Sequence, residues 1–227
     1  MKVTFVRHGE TDYNVSYILC SPTVGKLTKK GREQAKKLGK RLSNEKFSAI
    51  YCSDSSRTKE TAKYILKYHK KAPITYTPEL LEIHRGEFIG RKGQEFWEAF
   101  KKSKKSFARW KPKRGESPMD VTRRIKKFFK KIYKKHKGQH ILFVSHGGVN
   151  RAIRDICNNT TPNVNELKEG NNENASIGVL EFNKKGEPNY SRADRETLCV
   201  LGLKEGEVYR INKLIDNFEY FEAISDR

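Results

Sequence analysis

Hydrophobic residues recur along this chain in two alternating rhythms. Lys2 to Val6 (KVTFV) is a short β-branched and aromatic run, the pattern of a buried strand. A polar loop containing Pro22 and Gly25 leads to Thr28, which is placed to cap a helix from about Lys29 to Leu42 with Gln34, Ala35, Leu38 and Leu42 on one face. Ser48 to Cys52 (SAIYC) predicts a second strand ending at Ser53-Asp54-Ser55, after which Thr58, Ala62, Ile65 and Leu66 follow at helical spacing. Ile74 to Thr77 predicts a third strand, and Gln94 to about Phe107 a helix that stops at a Pro-containing break from Trp110 to Gly115. Ser117-Pro118 is a strong helix start, a capping hydroxyl followed by proline at the first helical position. Val121, Ile125, Phe128, Phe129 and Ile132 then keep one apolar face. His140 to Val144 (HILFV) predicts a fourth strand, Val149 to Ile156 a helix, and Ala175 to Phe182 a fifth strand. Beyond Asn183 the pattern weakens, and no repeat or linker divides the chain.

Strands that alternate with helices across short connections predict an α/β fold: a three-layer α/β/α sandwich around a mostly parallel sheet covered on both faces. A length of 227 residues is enough for one large domain, and the expectation is a single domain over 1–227. No run approaches a bilayer span, and MKVTFVRHGET has neither the regions nor the cleavage site of a signal peptide. Cys20, Cys52, Cys157 and Cys199 lie far apart with no CxxC pair, which argues for reduced thiols in a cytoplasmic protein rather than a zinc or disulfide scaffold.

Charge changes this picture in one respect. The formal net charge is +21, from 48 Lys plus Arg against 27 Asp plus Glu, so an anionic partner is the first expectation. The excess is local. Residues 92–137 hold 18 basic and 4 acidic side chains, whereas residues 187–227 hold 6 and 9. Phe96, Trp97, Phe100, Phe107 and Trp110 are interleaved with those cations, the mixture a nucleic-acid surface uses. The competing and preferred reading is a group of packed aromatics whose lysines form a solvated face.

One internal echo carries the chemistry. VTFVRHG and ILFVSHG are both hydrophobic strands that stop at His-Gly. Ligands of open parallel sheets gather beyond the carboxyl ends of strands, so His8 and His146 are candidates for one site although they lie 138 positions apart. A metal site with Glu10, Asp12 and Glu82 is the rival, but neither HxH nor HExxH spacing occurs and Arg7 beside His8 repels a divalent cation. Arg7 instead offers a planar fork to a phosphate, and Arg57 follows another strand end.

At Arg7-His8-Gly9-Glu10-Thr11, with Asn14 beyond it, the sequence resembles the histidine phosphatase superfamily, the phosphoglycerate mutase-like group. Further matches come in order: Leu27-Thr28, Gly31 and Gln34-Ala35; Ser53 to Ala62; Leu81-Glu82 with Gly86; Gly115-Glu116-Ser117; and Ser145-His146-Gly147. The resemblance covers roughly residues 1 to 183. It implies that His8 is the nucleophile, that Arg7, Arg57 and His146 surround the phosphoryl oxygens with Asn14, Ser21 and the Gly147 N–H as lesser contacts, and that Glu82 is the proton donor. It also implies a small helical cap at about 88–115 and no metal or other cofactor. Glu87 is the competitor for the acid role. Ile89 stands where the family often carries a second glutamate, and the Cys20-Ser21-Pro22 loop differs as well, so substrate identity stays open. Only 32 residues separate Glu82 from Gly115, shorter than the family's mutases carry, so the expectation is a phosphatase acting on a small phosphorylated metabolite, ahead of a cofactor-dependent phosphoglycerate mutase and of a basic nucleic-acid-binding protein on the same fold. A homo-oligomer is compatible with the sequence, and the role of about 187–227 stays open.

Overall fold

The computed structural model describes residues 1–164, 173–182 and 188–192. Within them, β1 (Lys2–Arg7), β2 (Ala49–Ser53), β3 (Ile74–Thr77), β4 (His140–Ser145), β5 (Ile177–Phe182) and β6 (Pro188–Arg192) form one six-stranded sheet in the order β3-β2-β4-β1-β5-β6. β3, β2, β4 and β1 run parallel, while β5 is antiparallel to both β1 and β6. The helices are α1 (Asp12–Val15), α2 (Lys29–Arg41), α3 (Ser56–Leu66), α4 (Gly93–Lys102), α5 (Pro118–Lys135) and α6 (Gly147–Asn158).

The alternation of each strand sends its side chains to two separate cores. Val3, Phe5, Ala49, Tyr51, Ile141 and Phe143 pack against the apolar stripes of α5 and α6. Their neighbours Val6, Ile50, Cys52, Leu142 and Val144 pack against Leu38 and Leu42 of α2 and its end, and Ala62 and Ile65 of α3. The expected layering therefore holds, with α2 and α3 on one face and α5 and α6 on the other. A third cluster, Phe88, Phe96 and Trp110 with Leu19, Trp97, Ala99 and Phe100 against it, lies apart from the sheet.

Two element ends and one loop depart clearly from the sequence expectation. The helix expected to reach Phe107 stops at Lys102, because Lys104 takes a left-handed φ of 53° that no α-helix continues through. The fifth strand starts at Ile177 rather than Ala175, whose φ of 61° makes it a turn residue. The loop after β1 contains α1, closed by a capping box in which Thr11 and Asn14 satisfy each other's backbone N–H groups. The expected capping of α2 by Thr28 and of α5 by Ser117 is present, Thr28 Oγ1 accepting from the Gly31 N–H and Ser117 Oγ from that of Asp120. Of the terminal segment from about 187, only β6 falls within the described residues.

Register places the carboxyl ends of three strands side by side. Arg7 lies opposite Ser145 and Cys52 opposite Val144, and the His8 N–H donates to Ser145 O at 3.1 Å. The turn that follows β1 meets the first turn of α2 backbone to backbone: a Cβ on Gly9 would strike the Gly31 carbonyl, and one on Gly31 the Glu10 carbonyl. Gly31→Ala should therefore lower the free energy of unfolding by roughly 1–3 kcal/mol, read from urea denaturation. A loss below about 0.5 kcal/mol would show that the two backbones can part without consequence.

Candidate active site

The two imidazoles expected to meet do meet. His8 leaves the end of β1 and His146 caps α6 at the end of β4, and their ring centroids are 5.2 Å apart in an edge-to-face arrangement. Both are buried, at 3% and 0% exposure. His8 Nδ1–H donates to the Gly9 carbonyl at 2.7 Å, and Arg57 Nε–H donates to His8 Nε2 at 3.2 Å. These two bonds define a neutral tautomer with its lone pair on Nε2. Burial first, then the charges of Arg57 and Arg7, hold His8 well below the ordinary imidazole range, outweighing the opposing effect of the Gly9 bond. His146 is pushed the same way by burial, Arg57, His8, Arg7 and Arg124.

Arg57 comes from the first turn of α3, and its guanidinium is seated by backbone carbonyls. Nη1 donates to Ser21 O at 3.1 Å and to Val24 O, and it approaches Cys20 Sγ at 3.6 Å. Thr61, one turn along α3, accepts from the Gly9 N–H at 3.1 Å and donates to Arg57 O at 2.8 Å, tying the turn after His8 to the helix of Arg57. Ser53, at the end of β2, bonds His146 Nε2 at 2.7 Å. Two buried nitrogens here have no hydrogen-bond partner among the described residues, His146 Nδ1 and Arg7 Nε. Such groups are costly unless a ligand completes them.

Glu82 reaches this group from the segment after β3. Its carboxylate accepts from the Gly148 N–H at 3.1 and 3.2 Å and from the Ile83 N–H at 2.9 Å, so it sits on the N-terminus of α6, where the helix dipole favours an anion. A Cβ on Gly148 would collide with Glu82 Oε1. Glu82 also acts electrostatically on Arg7 and Arg57. An ion pair clamps the segment on both sides of it. Arg124 donates to Glu79 O (2.6 Å) and Leu81 O (3.0 Å) and pairs with Glu116 at 3.1 Å, while Glu116 accepts from the His84 N–H at 3.0 Å. Glu87, the competitor for the acid role, is exposed and accepts from the Lys113 N–H at 3.1 Å instead.

The remaining expected residues occupy supporting places. Asn14 Oδ1 accepts from Thr11 and from Asn174 Nδ2, and Asn174 also donates to His8 O at 3.2 Å. Ser21 enters through its carbonyl on Arg57, while its hydroxyl pairs with Thr23. Gly147 is buried at the first position of α6. Ser53, Thr61 and Glu116 fall inside segments that matched the family but were given no role of their own from sequence, and Asn174 and Arg124 were not singled out at all. His69, His136 and His140 bond Leu42 O, Tyr51 and Thr4, away from the paired rings. Among the described residues no group of three or more His, Cys, Asp or Glu side chains could hold a metal ion.

A family model described as histidine phosphatase superfamily (branch 1) matches residues 3–193. The chain belongs to this superfamily. It is 31% identical over 182 residues to phosphoglycerate mutase-like protein 4 of Arabidopsis thaliana, covering 78% of each chain. It is 34% identical over 160 residues to the metal-independent phosphoserine phosphatase of the same plant, covering 67% of this chain and 66% of that one. Among solved structures, Bacillus stearothermophilus YhfR superposes with a TM-score of 0.76 at 29% identity, over 88% of this chain and 98% of that one.

In this histidine phosphatase the aromatic residues of the basic segment face inward. Phe96 is 3% exposed, and it stacks edge-to-face with Phe88, Trp97 and Trp110 at 5.7, 5.3 and 4.8 Å. Among the described residues no helix is long and apolar enough to cross a membrane.

Burial of two neutral imidazoles gives stability a pH dependence of definite sign. Above about pH 6.5 both histidines are neutral in folded and unfolded chains alike; below it the unfolded chain takes up protons that the folded chain refuses. Folding should lose up to about 1.4 kcal/mol per pH unit per histidine as pH falls from 6.5. Urea unfolding at pH 7, 6 and 5 should show this slope, and His146→Asn should remove part of it. An unchanged slope in that variant would contradict the burial argument.

Proposed function

We propose that this protein hydrolyses a small phosphate monoester through a phosphohistidine on His8, with Glu82 as proton donor and acceptor. The observation that carries the reading is the His8 tautomer, a buried neutral ring whose Nδ1–H is held by a carbonyl and whose Nε2 lone pair faces Arg57. A neutral imidazole is a competent nucleophile, and the cations that depress its basicity are the ones a phosphoryl group needs.

His8 Nε2 attacks phosphorus while the bond to the alcohol oxygen breaks, and the Glu82 carboxyl passes its proton to that oxygen. Arg57 Nε–H exchanges His8 for a phosphoryl oxygen. Arg7 Nε–H and His146 Nδ1–H, buried nitrogens of this site without a partner among the described residues, bond the other oxygens, and the Ser53 hydroxyl donates to His146 Nε2 to hold that tautomer. The Gly147 N–H and the Asn14 amide are further contacts. Water then attacks phosphorus, Glu82 takes its proton, the P–N bond breaks, and neutral His8 and inorganic phosphate result.

The short stretch between Glu82 and Gly115 supports hydrolysis over mutase transfer. So does the name of the 34%-identical relative, a metal-independent phosphoserine phosphatase. We assign the chain one domain over 1–227 with residues 88–115 as the cap. The free thiols of Cys20, Cys52 and Cys157 support a reducing, cytoplasmic setting. The lysines of residues 92–137 raise the local concentration of anionic substrate.

His8→Ala should lower turnover by roughly 10³-fold or more, and acid quenching of wild type with ³²P-labelled substrate should trap label on the chain. Glu82→Gln should cost roughly 10²–10⁴-fold on alkyl phosphates and far less on p-nitrophenyl phosphate, whose leaving group needs no proton. Chelators should leave activity unchanged; a divalent-ion requirement, or full activity in His8→Ala, would overturn the mechanism. Raising ionic strength tenfold should lower kcat/KM through weaker steering. A flat salt profile would leave the lysine face no part in capture.

A further inference from the structure

The outer surface of α5 carries a charge that the phosphoryl chemistry does not use. Every exposed side chain of this helix is a cation: Arg123, then Lys126 and Lys127, Lys130 and Lys131, Lys134 and Lys135. The opposite side packs into the core through Val121, Ile125, Phe128, Phe129 and Ile132. The lysines thus come as one pair per turn, and each of the first four has another lysine four residues further on. Like charges at that spacing weaken a helix, and a solvated helix face ordinarily answers them with carboxylates. Here no carboxylate stands among them. Among the described residues only Arg123 of the seven has an ion-pair partner, Asp120 at 2.8 Å.

Capture of a small substrate gives much of this row no task. α5 ends at Lys135 and β4 starts at His140, five residues later, so the last turns of α5 lie toward the amino ends of the strands. The paired imidazoles lie at the opposite, carboxyl ends. From Arg123 to Lys135 the cations extend for about 18 Å along the helix, leading away from the site. A groove of about 390 Å³ accompanies the first half of the row. Arg123, Arg124, Lys127 and Lys131 line it from α5, and Glu79 lines it from the turn after β3.

The shape of this surface selects its partner. At about 100° per residue the cations cover about half the circumference of the helix. A polyanionic strand can follow such a surface and settle in the groove, whereas a flat bilayer cannot. α5 also exposes no apolar side chain that could enter a membrane. Phe128 and Phe129 are each only 4% exposed, so no ring is offered to a base, and lysine meets a phosphate as a point charge. We propose that the outer face of α5 binds the phosphodiester backbone of a nucleic acid, without base readout, as a second function of the protein. The inward-facing aromatics of α4 take no part in it, and it does not depend on the roles of His8 and Glu82.

The test is fluorescence anisotropy of an RNA of about 20 nucleotides, longer than the cation row. The RNA is labelled at its 3′ end and carries a 5′-hydroxyl, so that it offers no phosphate monoester. Wild type should bind with a Kd of roughly 10⁻⁴ to 10⁻⁶ M at physiological salt, and log K should fall with log salt by about 0.7 per lysine engaged. DNA of the same length should match it within about threefold, because only the backbone is touched. Lys127→Gln, Lys130→Gln, Lys131→Gln and Lys134→Gln combined should weaken binding by roughly tenfold or more and flatten the salt slope by about 2 to 3. Four such changes on the other face of the sheet, Lys29→Gln, Lys37→Gln and Lys40→Gln on α2 with Lys63→Gln on α3, should cost less than about threefold. A wild-type Kd weaker than about 1 mM, a flat salt profile, an equal loss in the two combined variants, or tighter binding to phosphatidylserine vesicles than to RNA overturns the proposal. The wild-type titrations decide this even if the α5 variant misfolds. Phosphate release from p-nitrophenyl phosphate reads the phosphatase separately, so either reading can fail while the other stands.

Discussion

In-register pairing of β1 with β4, from Lys2 opposite His140 to Arg7 opposite Ser145, is the constraint from which the site follows. A slip of one residue would move each strand end by about 3.3 Å and exchange its two faces. Phe5 would then leave the α5–α6 core and Val6 the α2–α3 core. Each core thus enforces the register, and the register sets two rings 5.2 Å apart at positions 8 and 146. β4 lies between β1 and β2 in the sheet, so Ser53 arrives on the other side of His146 through the same ladder.

The electrostatics of the site follow from where the sheet puts these groups. Arg57 and both imidazoles are almost fully buried, and burial depresses the charged form of each. Under the proposed mechanism this is the wanted state for the histidines, because a protonated ring cannot attack phosphorus, and for the arginines it is a cost that a bound phosphoryl group would offset. Glu82 gives the arginines partial compensation, and its oxygens accept from two backbone N–H groups.

Much of this was legible in the sequence for a physical reason. VTFVRHG and ILFVSHG combine a strand's composition with a common ending, so a parallel sheet brings their histidines together whatever the helices do. The helix α4 was legible in kind but not in extent, because its end depends on the left-handed Lys104. The supporting contacts were not legible at all. Thr61 on Gly9, Arg124 on the Glu79 and Leu81 carbonyls, and Asn174 on His8 O join residues 43 to 166 positions apart, and a local pattern carries no trace of such contacts.

The loop between α1 and α2 does two jobs within residues 17–24. Tyr17 and Leu19 exchange backbone hydrogen bonds with Gly90, Arg91 and Gly93 beside the cap helix, and the carbonyls of Ser21 and Val24 seat the Arg57 guanidinium. One short length of chain therefore spans from the aromatic cluster to Arg57, so that the placement of α4 and the seat of the buried guanidinium depend on the same stretch of backbone.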